Sequence, residues 1–191
     1  MAMGNPKFDL WSEMIEIKFQ GRGGQGVVVA SQILAQACFE EGKYPQCFSI
    51  FGGERRGAPV AAFVRISDQK IYLKCDIERP NHLIVFDDSP LDKKGILDQL
   101  LPGGTLLLNS RGNYHAPVLK DYKVGMINAL EISKKNGLGA IVNTAILGAY
   151  VRLSGLVGLD AVMKVITEKV PTAIDQNLAS AKEAYEKVLI T

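Results

Sequence analysis

Met14–Gln20 (MIEIKFQ) alternates apolar and polar residues and then runs straight into Gly21-Arg22-Gly23-Gly24-Gln25-Gly26. Helix-period residues follow: over Gly26–Gly42, Val28, Ile33, Leu34, Ala37 and Cys38 recur at three- and four-residue steps, and Gly42 suits a C-terminal stop. A strand-period stretch, a glycine cluster and a helix-period stretch read as strand–loop–helix. The cluster satisfies G-x-G-x-x-G and adds a fourth glycine. Residues without Cβ let the backbone approach a ligand closely. Freed N–H groups and the helix dipole then favour an anion. Gly21, Arg22, Gly23, Gly24, Gln25 and Gly26 are therefore candidate phosphate-binding positions, with Arg22 adding a charge-assisted contact. The alternative is a tight strand-to-helix turn that binds nothing.

Outward from this unit, Gln46–Phe51 reads as a second strand, followed by the polar loop GGERRG. Pro59–Ile66 and Lys70–Leu73 read as two strands of a hairpin joined by a Ser-Asp turn. His82–Phe86 is a continuous apolar run ending in Asp87-Asp88, the pattern of a buried parallel strand. Asp88 or Ser89 can cap a helix with Pro90 in its first turn, ending before Pro102. Thr105–Leu108 and Lys123–Ile127 are further strands. The last third reads as helical: Asn143–Leu153, Asp160–Val170 from an Asp cap, and Thr172–Ile190 from a capping-box-like Thr172 and Asp175. We expect an α/β, Rossmann-like three-layer fold with a mostly parallel mixed sheet and a helical C-terminal third. The expected organisation is an N-terminal tail over 1–13 and a single domain over 14–191.

The 191 residues are 47% hydrophobic and 22% charged, which argues against disorder. No apolar run reaches the length of a membrane span. A net charge of +2 lacks the basic excess of nucleic-acid binders. Cys38, Cys47 and Cys75 are odd in number, widely spaced and form no CxxC. A disulfide framework is not expected, and a zinc or iron–sulfur site would have to come from another chain. The first thirteen residues lack the apolar stretch of a signal peptide, so the cytoplasm is the expected location.

An NAD site usually places Asp or Glu at the end of its second strand. Here that strand ends Ser49-Ile50-Phe51-Gly52-Gly53, and Arg55-Arg56 follow. Two adjacent arginines suit a ribose bearing an extra phosphate, as in NADP or the 3′-phospho-ADP end of coenzyme A. A solvated charge cluster is the alternative. Asp87 and Asp88 stand where open α/β sheets place ligands, but helix capping accounts for them more simply. His82 and His115 have no catalytic partner nearby in sequence and read as structural. Cys47 reads as a small buried hydrophobe. Asn143 reads as an N-cap that could instead turn toward a ligand. Ala145, Gly148, Ala149 and Gly155 permit close helix approach, inside the chain or against another subunit. Lys134-Lys135 reads as a solvated face.

GRGGQG after the first strand, FGGERRGAPV after the second, and NTAILGAYVRLSGL before a Leu-Asp helix resemble the gamma subunit of 2-oxoacid:ferredoxin oxidoreductases. The likeness runs from about Met14 to near the C-terminus. ERRGAP is its most specific block and is nearer the pyruvate and branched-chain types than the 2-oxoglutarate type. The resemblance implies a complex that decarboxylates a 2-oxoacid, passes electrons to ferredoxin and hands the acyl group to coenzyme A. It implies thiamine diphosphate, magnesium and iron–sulfur clusters on alpha, beta and delta partner subunits, with no catalytic residue or metal ligand on this chain. It carries Gly21–Gly26, Arg55 and Arg56 over as coenzyme A contacts. The chain has no GDG motif with a downstream Asn for thiamine-bound magnesium, no cluster cysteines and no cysteine-rich extension. A separate gamma chain of a heterotetramer, inactive alone, is therefore expected. A stand-alone NADP-binding oxidoreductase and a purely structural subunit are the alternatives.

Overall fold

A computed structural model describes residues 14–51, 58–87, 97–111 and 117–191. β1 (Ile15–Arg22) continues through Gly21 and Arg22, so the turn proper is Gly23–Gly26. α1 (Val27–Glu40) follows and returns to β2 (Tyr44–Phe51) and β3 (Pro59–Ser67). β4 (His82–Val85), β5 (Thr105–Asn109) and β6 (Lys123–Ile127) come next. Then come α2 (Ala129–Lys135), α3 (Asn143–Ser154), α4 (Leu159–Lys169), α5 (Ile174–Lys187) and the short β7 (Leu189–Ile190).

The seven strands form one mixed sheet in the order β2-β3-β1-β4-β5-β6-β7. β1, β4, β5 and β6 run parallel, with Phe19 beside Ile84 and Ile84 beside Leu107. β3 lies antiparallel between β2 and β1, and β7 closes antiparallel on β6. The apolar runs HLIV and TLLLN are buried on both faces, as central parallel strands require. All five helices contribute to one core with Ile17, Phe19, Ala62, Val64, Ile84 and Leu107. A smaller core on the opposite face joins Leu83, Val85, Leu106 and Leu108 to Leu100 and Val124. Among the described residues, 3-10 turns at Leu97–Gln99 and Pro117–Asp121 lie beside it.

The small residues of α3 serve packing inside the chain. A Cβ on Gly148 would stand 1.9 Å from the carbonyl oxygen of Ala181, so α3 and α5 approach backbone to backbone there. Ala145, Ala149, Ala181 and Ala184 are all fully buried alongside.

Several expectations need correcting. Lys70–Leu73 is not a strand. Both edges of β3 are already taken, by β2 and β1. The connection after β3 is instead tied down by side chains: Gln46 Nε2 donates to Leu73 O at 2.7 Å, and Arg65 Nη2 to Cys75 O at 2.7 Å. Arg65 is fully buried and also donates to Glu16 and Gln46, so its charge is paired and each of its three guanidinium nitrogens has a partner. Thr172 does not open α5; the N-cap is Ala173, in the left-handed region at φ 53. Asp160 lies in the first turn of α4, whose N-cap is Gly158, with Gly158 N donating to Glu41. Cys47 is exposed on the edge strand, whereas Cys38 is the buried thiol. α2 and β7 were not expected; Asn128 caps α2 by accepting from Glu131 N. The expected helix after Asp88 falls largely outside the described residues, as does His115.

Candidate functional site

The turn lies at the carboxyl end of β1, beside the end of β4. Pairing between the two strands carries one step further through Phe86 N, which donates to Gln20 O at 2.8 Å. This puts Asp87 next to Arg22, and Arg22 Nε donates to Asp87 Oδ2 at 2.8 Å. Asp87 therefore acts on the glycine turn by holding its arginine. Asp88 lies outside the described residues.

Three amides of the expected cradle are used inside the protein. Arg22 N donates to Gln25 Oε1 at 2.8 Å, Gln25 N to Arg22 O at 3.2 Å, and Gly23 N to Ala58 O at 2.9 Å. The Gln25 side chain thus latches the turn. Gly21 is buried against Gln25, Val27 and Phe86. The amides of Gly24 and Gly26 have no hydrogen-bond partner among the described residues. Gly26 is the N-cap of α1, at φ 82, with no side-chain cap and no acidic residue in the first turn. A helix N-terminus left this way is suited to a negative charge.

Gly26 is also required by close packing. A Cβ there would stand 2.9 Å from both Cβ and Nδ2 of Asn143. Asn143 is the first residue of α3 rather than its N-cap, which is Val142. It is 6% exposed, and its Oδ1 accepts from Thr144 N at 2.9 Å. That bond fixes the amide orientation and points Nδ2 away from Thr144 as a donor.

A cavity of about 950 Å³ opens beside the turn. Arg22, Gly23, Gly24, Gly26 and Asn143 line one part. Val28, Val29, Ile33, Leu138, Ile141 and Val170 give it apolar walls. Lys169, from the last turn of α4, adds a second cation, and no Asp or Glu is among the described lining residues. The α4–α5 junction is held in place by Asn177. Its Nδ2 donates to Ala173 O at 2.8 Å, and its Oδ1 accepts from Thr144 Oγ1 at 3.0 Å. Sequence reading missed Lys169 and Asn177. The available signal was a lone Asn on the apolar stripe of α5, among Leu178, Ala181 and Ala184. Arg55 and Arg56 lie outside the described residues.

His82 belongs to the opposite end of the sheet. It starts β4, roughly 16 Å along the strand from Asp87. Its Nδ1 meets Tyr150 OH at 2.7 Å, and burial, with Lys123 adding to it, lowers its pKa to about 4. It is buried and bonded to α3, at the opposite end of the strand from the glycine turn.

The fold and this turn define a Rossmann-like α/β protein whose strand–glycine turn–helix unit borders a cationic, apolar-walled cavity. Residues 16–187 match the family described as pyruvate ferredoxin/flavodoxin oxidoreductase. Pyruvate synthase subunit PorC of Methanothermobacter marburgensis is 44% identical over 92% of this chain and 98% of its own. The crystal structure of pyruvate oxidoreductase subunit PORC from Thermotoga maritima has a TM-score of 0.79 at 35% identity, covering 94% of this chain and 99% of that one. A 2-oxoglutarate:ferredoxin oxidoreductase from Magnetococcus marinus shares the fold, with a TM-score of 0.73 at 22% identity over 92% of this chain and 30% of that one. The chain belongs to the pyruvate ferredoxin/flavodoxin oxidoreductase family, as a gamma subunit of a 2-oxoacid:ferredoxin oxidoreductase. It is a subunit of an enzyme complex. Among the described residues, no helix is long and apolar enough to cross a membrane.

Proposed function

We propose that this chain forms the coenzyme A side of a cytoplasmic pyruvate:ferredoxin oxidoreductase, assembled with alpha, beta and delta subunits and using ferredoxin as electron acceptor. In this reading thiamine diphosphate, magnesium and iron–sulfur clusters belong to the partner subunits. Coenzyme A supplies the thiol that takes up the acyl group. This chain's residues hold the phosphorylated end and so orient the remote thiol, a use of binding energy from non-reacting parts.

One observation carries the reading. The uncommitted amides of Gly24 and Gly26 open beside a cavity whose charged lining, among the described residues, is Arg22 and Lys169. The sign of that charge and the apolar walls suit a phosphate-bearing nucleotide with an apolar arm. The volume is that of a small-molecule or cofactor site. The sequence adds Arg55 and Arg56 as further phosphate contacts. The Magnetococcus marinus enzyme, which lends only its fold, is described with coenzyme A and succinyl-CoA bound.

The internal use of the Arg22, Gly23 and Gln25 amides favours a second reading, in which the turn is purely structural. Kinetics of the reconstituted complex separate the two. Arg22→Gln, and the double change Arg55→Ala with Arg56→Ala, are each expected to raise the apparent KM for coenzyme A roughly tenfold or more, the worth of a charge-assisted contact. Binding and decarboxylation of the 2-oxoacid should stay unchanged. An unaltered KM for coenzyme A in both variants contradicts the proposal.

A further inference from the structure

Asn143 is buried at the edge of the glycine turn, yet half of its amide is uncommitted. Oδ1 is occupied by Thr144 N at 2.9 Å, which leaves Nδ2 as the donating end. No described residue accepts from Nδ2, and Asn143 lines the cavity together with Gly24 and Gly26. Nδ2 lies against Gly26, whose missing side chain keeps the space between them narrow. Asn143 is 94% buried, and its residual exposure leaves Nδ2 open to an acceptor from the cavity it lines. The described lining has no carboxylate to be that acceptor and carries Arg22 and Lys169.

From this geometry we infer that Asn143 Nδ2 donates to a phosphate-ester oxygen of the ligand, making Asn143 a binding residue alongside the amides of Gly24 and Gly26. The inference rests on the coenzyme A reading of the site and adds a side-chain donor from α3 to it. It also explains the order of elements: the packing of α3 on the turn brings its first residue to the N-terminus of α1. The donor and the Gly26 contact belong to one side chain, so a Cβ at Gly26 would displace the donor as well as strain the turn.

Asn143→Asp tests this without removing the structural half of the side chain. Aspartate keeps an oxygen for Thr144 N near the start of a helix, where a negative charge is favourable. It replaces the donor with a repelling oxygen. We expect the assembled complex carrying Asn143→Asp to keep its melting temperature and to bind coenzyme A at least about tenfold more weakly by calorimetry. Asn143→Ser, which retains an oxygen near Thr144 N in a smaller volume, should weaken binding roughly two- to tenfold and covers a failure of the Asp variant to fold. Normal affinity in whichever of these variants folds overturns the assignment. Arg22→Gln is measured in parallel. If it weakens binding while the Asn143 variants do not, the Asn143 assignment alone falls; if none weakens binding, the site reading falls with it.

Discussion

Arg22 and Asp87 form an ion pair across the carboxyl ends of two neighbouring parallel strands, Nε to Oδ2 at 2.8 Å. The arginine side chain is 51% exposed and the aspartate 24% exposed, so the pair is half in solvent. Its contribution to folding is therefore small, and its consequence is positional: it sets where the cation of the turn stands. Asp87→Asn should change stability by less than about 1 kcal/mol. In the proposed site, an Arg22 without this anchor should hold coenzyme A a few-fold more weakly. Urea denaturation and a binding titration at two ionic strengths check both expectations. Unchanged or tighter binding in Asp87→Asn would contradict the positional role.

The α3–α5 contact has almost no tolerance. Gly148→Ala would drive a Cβ into the Ala181 carbonyl, a backbone atom that cannot move without its helix. We expect a loss of about 3 kcal/mol or failure to fold. Gly24→Ala is the comparison: nothing lies within 4 Å of its Cβ position, and the cost comes only from φ 96. That cost should be about 1–2 kcal/mol. Equal losses in the two variants would contradict the packing account.

Asn177 connects α5, α3 and the cavity wall through its bonds to Thr144, Thr172 and Ala173. Asn177→Ala leaves the buried Thr144 hydroxyl without its partner, while Ala173 O keeps its bond from the backbone N of residue 177, and should cost about 1–2 kcal/mol. Ala173→Gly relieves a left-handed alanine and should be neutral or stabilising by up to about 1 kcal/mol. Denaturant midpoints of the two variants, moving in opposite directions or one alone falling, check this. A destabilising Ala173→Gly would contradict it.

His82 makes stability depend on pH. Burial, with Lys123 adding to it, holds its folded pKa at about 4, against 6.5 when unexposed to these effects. Between those values the unfolded chain binds the proton and the folded chain does not. The contribution of the neutral imidazole is thus complete above pH 6.5 and lost as pH falls toward 4. The slope approaches at most about 1.4 kcal/mol per pH unit. His82→Gln, whose amide can still pair with Tyr150 OH, should flatten this limb of a stability-against-pH curve. An unchanged limb would assign the loss to other groups.

Much of this architecture was legible in local pattern. The first strand, the turn and α1 announced themselves through a change of hydrophobic period around glycines, and β4 and β5 through unbroken apolar runs. Tertiary competition was not legible. Lys70–Leu73 has strand composition, but no free edge of β3 remained for it. α2 is seven residues long and relies on the Asn128 cap and on packing against α5, so its period is too short to read. The small residues of α3 signalled close contact without saying with what, and only Ala181 answers that. At the site, the glycines were visible but not the use of three amides inside the turn, which depends on Gln25 folding back and on Ala58 arriving just before β3. Lys169 comes from a helix more than a hundred residues away, and nothing local links it to the turn.

In the proposed complex the glycine turn of this chain holds the phosphates of coenzyme A. Amide hydrogen exchange of the assembled complex, with and without coenzyme A, reads it at residue level. Bound coenzyme A should slow exchange at Gly24, Gly26 and the first turn of α1, with little change at Gly23, whose amide is already bonded to Ala58. Unchanged exchange across residues 23–29 at saturating coenzyme A would contradict it.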